Sequence, residues 1–502
     1  MKKFFVRSLI IIPTIILQIF LYTLLFGFLS EFASIVIPII NLLAIGFVLY
    51  LLSKRMESNY KISWIIVIIL APVFGAVLYL FFGNKKTSGG LNSKILDSKF
   101  RLNYKFKDTY KIDATADRDL GHFKQIEELT EMPTYKCEDA KYYETGDLFF
   151  EDLIAELKKA KKFIFIEFFI VENGEIFKKI SDILVEKVKE GVDVRFMYDD
   201  FGSLMKFSLI DLKRLRSEGV KCLLFNPVTF LDPRLNNRDH RKMVIVDGEI
   251  AFSGGNNLAD EYANLVERFG HWKDTVIRLE GDAVMSMLAT FLQLWHVEEE
   301  DKADYQRWLD REPAVRHLEV ANWVVPYADA PEDGATLAQQ VYMHILNMAT
   351  RYVHIMTPYL ILDYEMVQAL IFAARRGIDV AILMPHIPDK KIPFYIARSF
   401  YPELIKNGVR IIEYEPGFVH AKSFVSDDCV SVVGTVNLDY RSLYLHFENG
   451  VLVYNDDFAA QVEADFQASV AKGHEMTIHD YEITPWYQRA TGRIMRIFGP
   501  LM

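Results

Sequence analysis

The tightest constraint on how this 502-residue chain can fold is that its second half repeats its first. KFIFIEFFI (162–170), an amphipathic run from Phe177 to Lys189 and DVRFMYD (193–199) read as strand, helix and strand. Ile180, Ile183, Leu184 and Val188 fall on one face of that helix. The order recurs in RYVHIMTPYL (351–360) and a helix over Met366–Arg376. GVDV at 191 returns as GIDV at 377, a shift of 377−191 = 186, and GVKCLLFNP at 219 as GVRIIEYEP at 408, a shift of 408−219 = 189. So long a period marks a duplicated domain rather than a solenoid. Alternating strands and helices imply an α/β fold with helices packed on sheets. The expectation is a pseudo-twofold, two-lobed body with a cleft between the halves.

Each half carries one copy of His-x-Lys-x4-Asp. The first is HRKMVIVDGEIAFSGGNN, with His240, Lys242, Asp247, Gly254, Gly255 and Asn257; the second is HAKSFVSDDCVSVVGTVN, with His420, Lys422, Asp427, Gly434, Thr435 and Asn437. One such motif arises by chance on the order of a few per cent of the time in a chain this long. Two, at equivalent points of a duplication and with the same Gly-x-x-Asn trailer, do not. In extended chain, residues i and i+2 share a face, so each imidazole sits beside an ammonium group. The glycines would let backbone approach an anion, and the two asparagines can donate to phosphate oxygens. Two imidazoles and two cations in one cleft suit a phosphodiester: cations stabilise the charge of a five-coordinate transition state. One imidazole attacks phosphorus while the other protonates the leaving alkoxide. Equivalent imidazoles cannot be ordered by sequence; His240 is preferred as nucleophile and His420 as general acid, then base. No His/Asp/Glu cluster with metal-ligand spacing accompanies them, so neither metal nor cofactor is expected.

The doubled motif resembles the signature of the phospholipase D superfamily over about residues 134–502. NNRDHRKMVIVDGEIAFSGGNNLADEY (236–262), HWKDTVIRLEG (271–281), RSFYPELIKNGVRIIEYEPGFVHAKSFVSD (398–427) and GTVNLDYRSLYLHFENG (434–450) resemble cardiolipin synthases in particular. The resemblance implies a two-step reaction through a phosphohistidine. It joins two phosphatidylglycerols into cardiolipin and releases glycerol, at the cytoplasmic face of a bacterial membrane. It also implies that Glu448 orients His420. Asp274 is the candidate carboxylate for His240, with a surface role as the competing reading. Asp247 and Asp427 are grouped by the family with the catalytic site, although their spacing from the lysines and the turn residues after them suit tying down a turn. The insert TFLDPRLNNRD brings Arg234 and Arg238 near the first motif, as headgroup readers or as a solvated loop. Trp272 and Trp295 could line an acyl-chain entry, with core packing as the better reading.

The first 85 residues differ in kind. Apolar stretches at about 8–28, 32–52 and 62–82 each have the roughly 20 residues that cross a bilayer. They are read as a multi-pass anchor, although Pro72 and Gly75 make the third a candidate for re-entry. Basic residues at 2, 3 and 7, at 54, 55 and 61, and at 85, 86, 94 and 99 leave the topology open. A linker (86–133), two repeat domains (134–312 and 313–502) and a C-terminal amphipathic helix (485–502) complete the organisation. Net charge is −10, which speaks against a nucleic-acid partner. Three isolated cysteines define neither a disulfide scaffold nor a zinc site. The expected partners are phosphatidylglycerol and the membrane, with no protein partner. The alternatives are a phospholipase D hydrolase, a transferase using another alcohol, a tethered nuclease or an inactive scaffold.

Overall fold

In the computed structural model, residues 30–54, 56–83, 132–137, 139–204, 206–227, 236–298, 322–331 and 336–501 are described, with positions 20, 23, 127, 128 and 308. Most of the first apolar stretch, most of the linker and Arg234 lie outside the described residues. The chain divides into two compact units: 1–85 with 228–236 and 494–502, and the remainder.

In the first unit, helix Ser30–Ser53 contains a 20-residue segment, Ser34–Ser53, long and apolar enough to cross a membrane. The third apolar stretch is not a single span, which corrects the reading of 62–82. It is two helices, Ser58–Leu70 and Pro72–Phe82. Proline lacks a backbone N–H and disfavours helical geometry in the residue before it, so the helix stops at Ala71. Thirteen residues extend only about 20 Å, short of a hydrocarbon core of about 30 Å. The pair doubles back: Tyr79 packs edge-on to Trp64 at 5.3 Å, and the Lys54 ammonium donates to its hydroxyl at 3.5 Å. Gly75 is required because a Cβ there would meet the Val67 carbonyl and Ile68 Cα at 2.7 Å.

The second unit contains both repeats, each built on one sheet. In the first, strand order is Asp139–Tyr143, Val276–Glu280, Ile250–Gly254, Met243–Val246, Phe163–Phe168, Asp193–Asp199, Lys221–Phe225. In the second it is Tyr135–Lys136, Trp323–Asp329, Glu448–Tyr454, Val430–Gly434, Ser423–Ser426, Tyr352–Met356, Asp379–Pro385, Arg410–Tyr414, Gly473–Glu475. From Val276–Glu280 and Glu448–Tyr454 onward, six strands correspond one to one, so the duplication is structural as well as sequential.

An apolar core joins the halves. Helix Val284–Glu298 packs Leu288, Phe291 and Trp295 in the same cluster as Ile245, Val425, Val433 and Phe458. Trp295 is thus a core residue and not an acyl-chain lining. Polar clamps supplement it: the buried Lys273 ammonium donates to Asp465 at 2.7 Å, and Tyr142 to the same carboxylate at 2.6 Å. The thiols of Cys137 and Cys222 are pushed up by burial to about 11 and about 12, which leaves them inert.

Asp247 and Asp427 stand at the end of their strands opposite to the histidines, which corrects their grouping with the catalytic residues. Asp247 accepts from the backbone N–H groups of Lys161, Lys162 and Phe163 at 2.7–2.9 Å. Asp427 does the same for Thr350, Arg351 and Tyr352 at 2.7–3.0 Å. Each has a positive φ (56° and 52°), as the tight turn after the strand demands. Asp247→Ala should therefore destabilise the protein by about 2–4 kcal/mol, read as a lower thermal unfolding midpoint. The folded fraction should keep its activity per molecule, and a folded but inactive variant would restore the catalytic reading.

Candidate active site

His240 and His420 do not lie within strands; each precedes one in an extended segment, and Lys242 and Lys422 follow two residues on. Each segment is held by the other repeat. His240 N–H donates to the Phe447 carbonyl at 2.9 Å, and Phe447 N–H to the Arg238 carbonyl at 2.9 Å. Reciprocally, Gly417–Val419 pairs in parallel with His271–Lys273, and His420 N–H donates to the Lys273 carbonyl at 2.6 Å.

This exchange decides which carboxylate meets which imidazole, and it reverses both assignments made from sequence. Glu448 of the second repeat bonds Nδ1 of His240 (3.0 Å), and Asp274 of the first bonds Nδ1 of His420 (2.7 Å). The carboxylate follows the segment that pairs across the repeats, so it reaches the partner's histidine and not its own. Both are fully buried. The Glu448 carboxylate also accepts from Thr435 Oγ1 at 2.5 Å.

The remaining predicted residues mostly serve this frame. Each lysine folds back so that its ammonium donates to the carbonyl of its own histidine, Lys242 to His240 at 2.5 Å and Lys422 to His420. A Cβ on Gly254 or Gly434 would strike backbone of the adjacent strand, and one on Gly255 would strike Asp274. The glycines therefore admit protein groups, not a ligand as expected. Asn257 is engaged as well: its amide donates to Tyr262 hydroxyl at 2.7 Å and its carbonyl accepts from Ile170 N–H at 2.9 Å. Asn437 Oδ1 is buried without a hydrogen-bond partner. Arg238 is buried, donating to the Asn226 carbonyl at 2.6 Å, so it is no exposed headgroup reader. Trp272 packs 5.4 Å from the His420 ring and forms a wall of the site.

Sequence reading missed Phe169, Tyr262 and His446. Phe169 lies edge-on to His240 at 4.9 Å, Tyr262 edge-on to His420 at 5.4 Å, and His446 is 5.6 Å from the His240 ring. His446 could have been noticed as the third imidazole of HFENG. With His240 and Glu448 it forms a group whose donor atoms lie within 4.8 Å of one another and could hold a metal ion. Spacing along the chain gave no sign of that group, because its members come from both repeats.

The electrostatics favour neutral imidazoles. Burial, Lys242, His446 and both groups of the second motif hold His240 well below the usual histidine range. Burial likewise raises Glu448 far above the carboxylate range, so the two form a hydrogen-bonded pair rather than an ion pair. His420 is lowered to about 4 by burial and by Lys422, with Asp274 opposing. Lys242 and Lys422 are lowered to about 7 and about 8, again chiefly by burial. Each histidine is shifted by a lysine of the other repeat, so the two motifs face one shared site. Nδ1 of each ring is occupied by a carboxylate, which leaves Nε2 for chemistry.

Fold and site together define a duplicated, two-histidine protein built to act on phosphodiesters. The family described as "Cardiolipin synthase, PLD-like domain" matches residues 153–295 and 342–470, and a "Phospholipase_D-nuclease N-terminal" segment matches 39–84. The chain belongs to the cardiolipin synthase family of the phospholipase D superfamily. It is 34% identical to cardiolipin synthase 2 of Bacillus anthracis over 91% of this chain and 89% of that protein. It is 40% identical to an uncharacterized protein of Streptococcus mutans over 91% of this chain and all of the other. Phosphatidylserine synthase of Haemophilus influenzae shares the fold, with a TM-score of 0.58 at 16% identity over 76% of this chain and 99% of that one.

Because Lys242 and Lys422 titrate near 7 and 8, the empty site loses cationic charge as pH rises through that window. For an anionic diester, kcat/KM should fall across it, while kcat should hold to higher pH because a bound phosphate raises both lysines. A kcat/KM that is flat through the window would contradict this electrostatic account.

Proposed function

We propose that this protein transfers a phosphatidyl group from one phosphatidylglycerol to the glycerol hydroxyl of another, forming cardiolipin and releasing glycerol. The observation that carries the reading is the reciprocal pair: two buried imidazoles, each held at Nδ1 by a carboxylate of the other repeat. Family membership supplies the lipid class.

His240 acts as nucleophile and His420 as acid, then base. His420 is the imidazole whose protonation a carboxylate favours: Asp274 raises its pKa by charge and by hydrogen bond, against burial. Every leading influence on His240 keeps it neutral, as a nucleophile must be. Entry of the anionic phosphate raises the pKa of His420, which takes up a proton. Nε2 of His240 then attacks phosphorus, the bond to the leaving glycerol oxygen breaks, and His420 gives that oxygen its proton. In the second half-reaction, neutral His420 removes the proton from the acceptor hydroxyl. That oxygen displaces Nε2, and cardiolipin leaves. Lys242 and Lys422 neutralise the phosphoryl oxygens throughout, at a site where low dielectric strengthens them.

The catalytic unit lies at the cytoplasmic face of a bacterial cell membrane in this reading. Lys54, directly after the spanning helix, and Lys61, in the first turn of the helical pair, suit the cytoplasmic side. The pair brings Tyr79 back to Lys54 and Met56, which returns the chain to that side before the catalytic unit begins.

Purified protein in detergent should convert labelled phosphatidylglycerol to cardiolipin plus glycerol. Phosphatidic acid as the sole product would make water the acceptor and the protein a hydrolase. Asp274→Asn should cost about 10²–10⁴-fold in kcat and add little to the loss caused by His420→Ala, since the two act as a unit. Multiplicative losses would break the proposed pairing.

A further inference from the structure

Three loops rooted beside the catalytic groups end in exposed aliphatic side chains. The chain leaving strand Phe163–Phe168 passes Phe169, packed on His240, and reaches Asn173, whose carbonyl accepts from Ser208 N–H at 3.1 Å. This seats the start of helix Leu209–Ser217, where Leu209 and Ile210 are 70% and 78% exposed. The turn after Asn257 carries Tyr262, in contact with His420, and continues to Leu265 and Val266, 50% and 53% exposed. In the second repeat, the loop after strand Asp379–Pro385 holds Asp389 and Lys390, whose charges act on Lys422 and His446 respectively. Ile387 and Ile392 flank them, 36% and 42% exposed. A Cβ on Gly270 would meet Ile387 Cδ1 at 3.2 Å, so the second and third loops adjoin.

Scattered exposed aliphatics are ordinary on a protein surface. Pairs on three loops that converge on one catalytic site are a pattern, and ion pairs stand among them: Lys206 and Arg268 with Glu172 and Glu261, and the well-exposed Lys390 with Asp389. We propose that these loops form a shallow bilayer-insertion rim that seats the mouth of the catalytic site on an anionic lipid surface. The physical need is plain. His240 and His420 are only 7% and 8% exposed, so a lipid's phosphate has to leave the headgroup layer to reach them. Aliphatic tips buried in the outer acyl region, with these ion pairs at headgroup level where their cations can exchange partners with lipid phosphates, hold the mouth against that layer. The rim lies on the unit that carries the catalytic site. The inference rests on the lipid-transferase reading and names the surface through which that substrate enters.

The test uses the full-length protein in vesicles of phosphatidylglycerol and phosphatidylethanolamine. Leu209→Cys and Leu265→Cys, each with Cys429→Ser, are labelled with an environment-sensitive fluorophore. Both labels should be quenched by nitroxides on lipid acyl chains and shielded from aqueous iodide. The double variants Leu209→Asp/Ile210→Asp and Leu265→Asp/Val266→Asp should lower turnover of bilayer phosphatidylglycerol by about tenfold or more. Turnover of water-soluble dibutyroyl phosphatidylglycerol should stay within about twofold, because the substitutions are remote from the reacting atoms. Labels open to iodide, or equal effects on bilayer and soluble substrate, would overturn the rim. Wild-type protein that makes no cardiolipin would instead defeat the transferase reading, and the quenching result would still stand.

Discussion

Each motif imidazole, His240 and His420, is held by a carboxylate that its own repeat does not supply. Glu448 reaches His240 and Asp274 reaches His420 because the segments ahead of the histidines pair in parallel with segments of the opposite repeat. Neither half can therefore assemble these histidine–carboxylate pairs alone. The same exchange lies beneath the shared core of helix Val284–Glu298 and the Lys273–Asp465 clamp. Without that packing, two buried carboxylates would lose the partners that compensate their desolvation.

Burial also sets the chemistry. Desolvation is the largest influence on both histidines, both lysines and Glu448, and it drives all five toward their neutral forms. In the proposed mechanism an entering anion reverses that tendency, which would couple substrate binding to protonation of His420. The difference between the two imidazoles follows from their partners: Asp274 supports protonation of His420, while the Glu448–His240 pair stays uncharged. Two copies of one motif thus sit in different electrostatic surroundings.

A lipid-modifying site of this kind also has to be placed against its substrate. Helix Ser30–Ser53 is long enough to span, whereas the two short helices after it turn back at Ala71 and Pro72. Tethering and orientation are different requirements. The rim proposed above addresses the second.

The repeat, the α/β class and the two His-x-Lys motifs were legible along the chain, because they rest on local periodicity and on residue type at short spacing. The pairing of Asp274 and Glu448 was not, and the family likeness pointed the wrong way for Glu448: 28 residues of separation from His420 say nothing about which strand lies alongside. The structural tasks of Asp247, Asp427 and the motif glycines were hidden for a related reason, since conserving backbone contacts and touching a ligand ask for the same residue types. His446 and the aliphatic rim became visible only once loops distant in sequence shared one neighbourhood. Sequence by itself determined which groups could do the chemistry. Tertiary structure decided which of them meet, because hydrogen bonding and burial depend on distance in space, and the two repeats close that distance by exchanging partners.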